Sequence, residues 1–512
     1  MLMHELLIDG AERTPDKLAL HWVDRDVALT YAQAVANMEH MAGALASLGL
    51  KKGDRVTIFA HNGMDYLLAM FGAWRLGAIA ALVNVQFAAE LDYYFADHTP
   101  SLVIYTHDKA DAVFGAAKRV ATVRHLICMD GPQEGALSLP ELMKAQLRPP
   151  ADPCDESAIA HLAYTSGTTG KPKGACLAHE PTVRAAKCIA ERLRISGSDD
   201  SFGPTALSSS YQLVGNLLPP LSRGASVHVM GKWTQASGWA ALDKTRASIF
   251  IANPTLLREV LTESQTRGRA PGRLRAGLSG GGPVPPTLKK AWRDELRLPL
   301  IESFGQSELG GFMALGFPEV ENDDALLGRV GPALPDKEVR IVDALGGPAH
   351  RTPLPPGRIG EIELRGGFMT GYWGRPEKTA ETIGTGWLRT GDLGLIDRDG
   401  FITMRGRRSE LIETDGVLWF PRDVEEAFCA IHGVAQAALI GVADASHGQR
   451  PHAFITTLPG VILESEALKS AVAGKVNYDV APMVVKVVAD LPMTPTGKIA
   501  KGELAARLLS TT

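Results

Sequence analysis

The stretch Tyr164-Thr165-Ser166-Gly167-Thr168-Thr169-Gly170-Lys171-Pro172-Lys173-Gly174 limits what this chain can fold into more than any other. Glycines, hydroxyl residues and lysines alternate here directly after an apolar lead-in, Ala158-Ile159-Ala160-His161-Leu162-Ala163. The lead-in reads as a buried strand. The stretch itself reads as a loop, because glycine and proline this dense cannot hold a helix. Glycine lets the backbone turn with positive φ and bring its N–H groups close to an anion. Hydroxyls add donors, and Lys171 and Lys173 add positive charge. Thr165, Ser166, Gly167, Thr168, Thr169, Gly170 and Lys171 are therefore expected to form a phosphate cradle. It is not the common nucleotide loop, since Pro172 stands after Lys171 where Ser or Thr is required. It also lacks the glycine spacing of a dinucleotide fingerprint.

A chain of 512 residues exceeds one ordinary core, so two or more domains are expected. With 45% apolar and 21% charged residues, the composition is that of a soluble globular protein. The 53 basic and 57 acidic residues nearly cancel, which gives no electrostatic case for nucleic acid or an anionic membrane surface. Cys128, Cys154, Cys176, Cys188 and Cys429 show no paired spacing, which points to a reducing compartment. The start of the chain has no signal-like pattern, and apolar runs fall short of the ~20 residues of a membrane helix. A cytoplasmic protein without an integral membrane segment is expected.

Upstream of the loop, helical and strand-like segments alternate as in a layered α/β domain. Thr30 is placed to cap a helix through Leu45, with Met38, Met41 and Leu45 on one stripe. Strands are predicted from Arg55 to Ala60, Ala78 to Val83 and Ser101 to Tyr105, with an apolar helix from Tyr66 to Leu76. Past the loop, Pro181 to Leu193 reads as a helix and Ser226 to Met230 as a strand.

Five further clusters carry chemistry. Gly280-Gly281-Gly282-Pro283 suits backbone lying against a flat ligand. The run Glu302-Ser303-Phe304-Gly305-Gln306-Ser307-Glu308 comes after a strand-like segment, Leu298 to Ile301. In it Glu308 is a hard oxygen ligand suited to Mg²⁺. Ser307 offers a hydroxyl to phosphate, and Phe304 a face for stacking. Asp392, within Trp387-Leu388-Arg389-Thr390-Gly391-Asp392, can accept hydrogen bonds from two ribose hydroxyls. The same glycines also fit a hairpin turn, and Asp397 to Gly400 is a separate turn. Arg405-Gly406-Arg407-Arg408 is a basic run, which by itself is most often a solvated face. Near the end, Pro492-Met493-Thr494-Pro495-Thr496-Gly497-Lys498 holds a lysine on a loop stiffened by prolines.

In this order the six motifs resemble those of the adenylate-forming superfamily, which includes acyl- and aryl-CoA synthetases, luciferases and peptide-synthetase adenylation domains. The resemblance covers nearly the whole chain. It implies an α/β fold: a large N-terminal domain of layered sheets and helices (1–408), and a small mobile α+β lid (409–512) carrying Lys498. It implies ATP, Mg²⁺ and CoA as cofactors and cosubstrates. The carboxylate attacks the α-phosphate to give acyl-AMP and pyrophosphate, and a thiol then takes the acyl group. On this pattern Lys498, Glu308 and Ser307 are catalytic, with Glu308 the metal ligand. The cradle from Thr165 to Lys171, Gly281, Gly282, Pro283, Ser303, Phe304, Gly305, Asp392 and Arg407 hold the nucleotide. Ser409 is the hinge, standing where the family has Asp or Lys, and Glu413 stands where many relatives have Lys.

The resemblance also places the acid pocket at Ser209, Tyr211, Gly310 and Gly311, with Phe312 and Met313 as apolar walls. The segment Thr205 to Tyr211 has neither the acid that amino-acid-activating members carry nor the aromatic-His pair of many CoA ligases. An aryl or medium-length apolar acid is the resulting expectation. The partners are then a small carboxylic acid and CoA. A stand-alone enzyme loading a carrier protein is the alternative, and a nucleotide-binding regulator without turnover a third class. Homodimer and monomer stay open.

Overall fold

The computed structural model describes residues 1–151, 154–165, 171–282, 284–319, 323–343, 351–458, 460–493 and 499–509. Short Val-, Ile- and Leu-rich segments, flanked by turns and alternating with apolar helices, form two large sheets that are mostly parallel. In the first, the strands run in the order Gly311–Leu315, Leu300–Gln306, Ala276–Ser279, Ile249–Ala252, Asp200–Gly203, Ser226–Val229, Leu18–Trp22, Val27–Thr30. Only the two edge pairings are antiparallel. The second runs Gly371–Tyr372, Gly174–Ala178, Ile159–Tyr164, Ile79–Leu82, Arg55–Phe59, Leu102–Tyr105, His125–Cys128, Leu137–Ser138. Two of its inner strands, Ile79–Leu82 and Leu102–Tyr105, are buried along their whole length, as strands covered on both faces must be.

The helix Tyr31–Ser47 starts as expected. The Thr30 hydroxyl accepts from the Gln33 amide and the Gln33 side chain accepts from the Thr30 amide, a reciprocal cap. The helix runs two residues past Leu45. Its neighbour, Met64–Arg75, begins earlier than Tyr66, because Gly63 in extended backbone is the residue before the first turn. The two helices pack closely at Gly72, where a Cβ would lie 2.7 Å from Met41 Cγ. One core cluster collects Leu20, Val227, Ile249 and Leu278 from the first sheet and Val56, Ile58 and Ile104 from the second, together with these helices. Fully buried side chains such as Phe71 each contribute about 1.5–3 kcal/mol through loss of apolar surface.

A third, antiparallel sheet orders Gly331–Pro332, Phe401–Arg407, Trp387–Ile396, Gly360–Arg365 and Glu338–Val342, with Ile383–Gly384 on Trp387–Ile396. Two readings of the sequence change here. The motif around Asp392 is not a turn but lies inside the ten-residue strand Trp387–Ile396. The turn sits later, at Asp397 to Gly400, where Gly400 takes φ +85. Likewise the strand expected to stop at Ile301 continues through Gln306, so most of that motif is strand.

From Ile412 onward the chain builds a fourth sheet, Val417–Trp419, Ile412–Thr414, Gly448–Thr457 and Val434–Asp444, with Val484–Val487 against Gly448–Thr457. It has its own core, including Trp419, Val424, Phe428, Leu439 and Ile455. The helix Pro421–Cys429 starts with proline at its first position, where the missing N–H costs nothing. Two ion pairs join it to the preceding part of the chain: Arg405 to Asp423 at 2.8 Å, and Arg422 to Glu302 at 3.8 Å. The fold is mixed α/β with a C-terminal α+β unit. Among the described residues, no helix is long and apolar enough to cross a membrane.

Candidate functional site

The glycine-rich stretch leaves and re-enters the second sheet through an antiparallel pair, Ile159–Tyr164 with Gly174–Ala178, in which Tyr164 faces Gly174. Ser166, Gly167, Thr168, Thr169 and Gly170 lie outside the described residues. The ends that hold them are described. The Thr165 amide donates to the Lys173 carbonyl at 3.0 Å. Thr165 Oγ1 is buried without a hydrogen-bond partner among the described residues. Such an atom is costly unless something supplies a partner, and a phosphate oxygen can accept its proton. The Lys171 ammonium sits 5.2 Å from the centre of the Tyr93 ring, and that of Lys173 5.6 Å from the Tyr372 ring.

Glu308 comes after the long strand, in a 3₁₀ turn, Ser307–Leu309. The Tyr372 hydroxyl donates to Glu308 Oε1 at 2.8 Å. Burial and the facing carboxylate push the Tyr372 phenol well above its usual pKa, so it stays a donor. Glu308 Oε2 takes no hydrogen bond among the described residues. A carboxylate with one oxygen held and one open, beside the Ser307 hydroxyl, fits a hard divalent cation shared with phosphate oxygens. Ser307 Oγ lies 3.5 Å from Ser210 Oγ.

Asp392 and Arg407 are cross-strand partners, with Arg407 Nε 3.4 Å from Asp392 Oδ1. The Gln306 side-chain amide donates to Asp392 Oδ2 and, at 3.0 Å, to the Thr390 carbonyl. Three motifs distant in sequence thus meet at one buried carboxylate. Gln306 was not among the residues expected at the site. Its only signal was its place between Gly305 and Ser307.

Near the glycine run, the Ser303 hydroxyl donates to the Ser279 carbonyl at 2.9 Å. A Cβ on Gly281 or Gly282 would meet nothing within 4 Å, so open space lies beside this backbone, and Gly281 takes φ +80. Pro283 lies outside the described residues. Gly305 serves a different purpose, the close approach of two strands, since a Cβ there would lie 2.7 Å from the Gly311 carbonyl. Phe304 is half-buried against the core of the third sheet.

Tyr211 is held between strand ends, its hydroxyl donating to the Leu278 carbonyl at 2.9 Å and lying 3.3 Å from that of Ala252. Its ring packs on Phe312 with centroids 5.8 Å apart. Gly280 must lack a side chain, because a Cβ would come within 2.4 Å of this ring. Ser209 turns back to its own chain and accepts from the Tyr211 amide. The pocket expected beside Gly311 is filled. A Cβ on Gly311 would strike Ala185 Cβ at 2.9 Å, so this glycine serves close packing on the helix His179–Arg192. Gly310 takes φ +61 in the turn after Glu308.

Lys498 lies outside the described residues. Ser409 is exposed within the short turn Arg408–Glu410. Lys501 ties the last helix to that turn, 2.8 Å from both Glu410 and Glu425.

The pattern of the AMP-binding enzyme family matches residues 8–373, and that of the AMP-binding enzyme C-terminal domain matches residues 423–498. The chain belongs to the AMP-binding enzyme family. It is 29% identical to a feruloyl-CoA synthase of an Amycolatopsis species over 484 residues, 94% of each chain. A medium-chain acyl-CoA ligase of Mus musculus is 27% identical over 539 residues, 98% of this chain and 87% of that one. Among solved structures, ATP-bound MatB from Rhodopseudomonas palustris is 27% identical, covers 99% of both chains and superposes with a TM-score of 0.88. The apo form of the same enzyme, with the same coverage, gives 0.79.

Proposed function

We propose that the protein is an ATP-dependent carboxylic acid–CoA ligase. A carboxylate oxygen attacks the α-phosphorus of ATP and pyrophosphate leaves, forming acyl-AMP. The CoA thiol then attacks the acyl carbon, and AMP leaves as the thioester forms. The observation that carries this reading is the meeting of Gln306 and Arg407 on the Asp392 carboxylate, with Glu308, two residues beyond Gln306, held by Tyr372.

In this reading Asp392 accepts the ribose hydroxyls, and Gln306 and Arg407 hold its carboxylate for them. The backbone at Gly281, Gly282 and Pro283 lies along the adenine, with Ser303, Phe304 and Gly305 beside it. Thr165 through Lys171 grip the phosphates that depart. Lys498 sits between the incoming carboxylate and the α-phosphate, where two anions must be brought together. Mg²⁺, held by Glu308, would supply neutralising charge on the phosphates. Residues 1–408 form the nucleotide- and acid-binding domain, and 409–512 a lid that turns about Ser409 between the two half-reactions.

The acid is an aryl or medium-length apolar one. Supporting this are the Tyr211–Phe312 wall, the absence of an acidic side chain from Thr205 to Tyr211, and the names of the relatives. A cytoplasmic setting belongs to the same proposal, and none of the five cysteines forms a disulfide among the described residues.

The test is pyrophosphate release over a panel of aryl, short, medium and long acids, with a subsequent search for thioester with CoA or with a pantetheinylated carrier protein. Release with an aryl or medium-length acid and thioester on CoA are expected. Thioester on the carrier alone would replace CoA as acceptor, and no release with any acid would sink the proposal.

A further inference from the structure

The helix Leu91–His98 belongs to none of the motifs, yet it touches both ends of the glycine-rich stretch. On the leading end, the Tyr164 hydroxyl donates to Asp97 Oδ2 at 2.9 Å and lies 2.8 Å from His98 Nδ1. The opposite ring nitrogen, His98 Nε2, is 2.6 Å from the Thr57 hydroxyl. These contacts fix one tautomer. Tyr164 spends its proton on Asp97, so it accepts from Nδ1–H, and Nε2 accepts from Thr57. On the trailing end, the Tyr93 hydroxyl donates to the Pro172 carbonyl, and the Tyr93 ring faces the Lys171 ammonium. Arg375 closes the frame. One of its terminal nitrogens donates to Asp97 Oδ1 at 2.5 Å and to the Tyr93 hydroxyl at 3.1 Å.

Tyr93 and His98, on one short helix, thus reach the two sides of one hairpin mouth. Asp97 is almost wholly buried, and every oxygen it presents is engaged by Tyr164 or Arg375. A buried carboxylate of this kind holds its partners firmly, because leaving it unpaired is costly. We infer that Tyr93 and Asp97 are positioning residues, which set the spacing of the hairpin mouth and hence the placement of Thr165 and Lys171 against the outer phosphates of the nucleotide. The inference rests on the proposed nucleotide site. The candidate ligands of the nucleoside portion, Gly281, Asp392 and Arg407, lie on other segments of the chain.

The experiment is titration calorimetry on the full chain with two probes, α,β-methylene-ATP and AMP, which share the nucleoside and differ in the outer phosphates. Tyr93→Phe removes only the hydroxyl and keeps the ring under Lys171. It is expected to weaken the ATP analogue about three- to tenfold, the range one hydrogen bond supports, while AMP binding stays within about twofold. Asp97→Asn is expected to weaken the analogue about tenfold or more, because it releases Arg375 as well. Equal analogue affinity in wild type and Tyr93→Phe would overturn the inference, as would equal losses for analogue and AMP. Wild type binding neither probe would instead overturn the nucleotide site itself.

Discussion

The Tyr372 hydroxyl donates to Glu308 Oε1 across 2.8 Å, linking the strand beside the phosphate loop to the candidate metal ligand. This contact holds one carboxylate oxygen, and the other is the one proposed to meet the cation. Tyr372→Phe is expected to raise the Mg²⁺ concentration for half-maximal pyrophosphate release about tenfold, the scale of a hydrogen bond to a charged group. Titration of Mg²⁺ at fixed ATP reads this directly. An unchanged requirement would remove Tyr372 from the site.

Gln306 donates to the carboxylate that is proposed to hold the ribose. Gln306→Leu should weaken ATP and AMP alike, about five- to tenfold, because the nucleoside rather than the phosphates loses its support. Equilibrium binding of both nucleotides separates this outcome from the phosphate-selective loss expected at Tyr93.

In the proposed reaction, Lys498→Ala removes a positive charge from the first half-reaction. Pyrophosphate exchange is expected to fall on the order of 10²–10³-fold, while thiolysis of supplied acyl-AMP persists. Exchange at the wild-type rate would refute the assignment.

His98 and His161 are fully buried, and burial drives their pKa values down to about 3 and about 4 from an ordinary 6.5. Between pH 6.5 and about 4 the unfolded chain therefore binds more protons than the folded one. Stability present above pH 6.5 is lost as pH falls, by about 1.4 kcal/mol per pH unit for each histidine. The thermal midpoint should be flat from pH 7 to 8 and fall steadily below 6.5, with a shallower fall in His98→Gln. A midpoint independent of pH across that window would contradict the neutral assignment.

Arg422 reaches from the helix Pro421–Cys429 to Glu302, whose carboxyl burial pushes up in pKa. Arg422→Ala leaves that carboxylate without this partner and is expected to cost about 3 kcal/mol. Adding Glu302→Gln should restore most of the loss in thermal midpoint. Additive losses in the double variant would show that the two residues do not act on each other.

Local elements were largely legible because their signals are local. The Thr30 cap, the apolar strands Arg55–Phe59 and Leu102–Tyr105, and the turn at Gly400 each arise from a few neighbouring residues. The strand Trp387–Ile396 was not legible, since its glycines read as turn residues. Its neighbours explain why a glycine is needed: a Cβ on Gly394 would lie 2.7 Å from the Thr403 carbonyl. Gly311 misled in the opposite sense. Small residues leave room only where nothing else fills it, and Ala185 does so.

The sequence by itself determined which residue types could do the chemistry: a glycine-rich anion loop, a carboxylate for a hard cation, a carboxylate for ribose and a lysine on a stiff loop. Their identity and order are written along the chain, and that is why six motifs sufficed to place it in a family. Only the tertiary structure decided what holds them. Gln306 on Asp392, Tyr372 on Glu308, and Tyr93 with Asp97 at the hairpin mouth are contacts between segments 64 to 86 residues apart. No pattern within a window of sequence encodes such a contact. Sheet order and side-chain packing set it, and both arise only when distant strands pair.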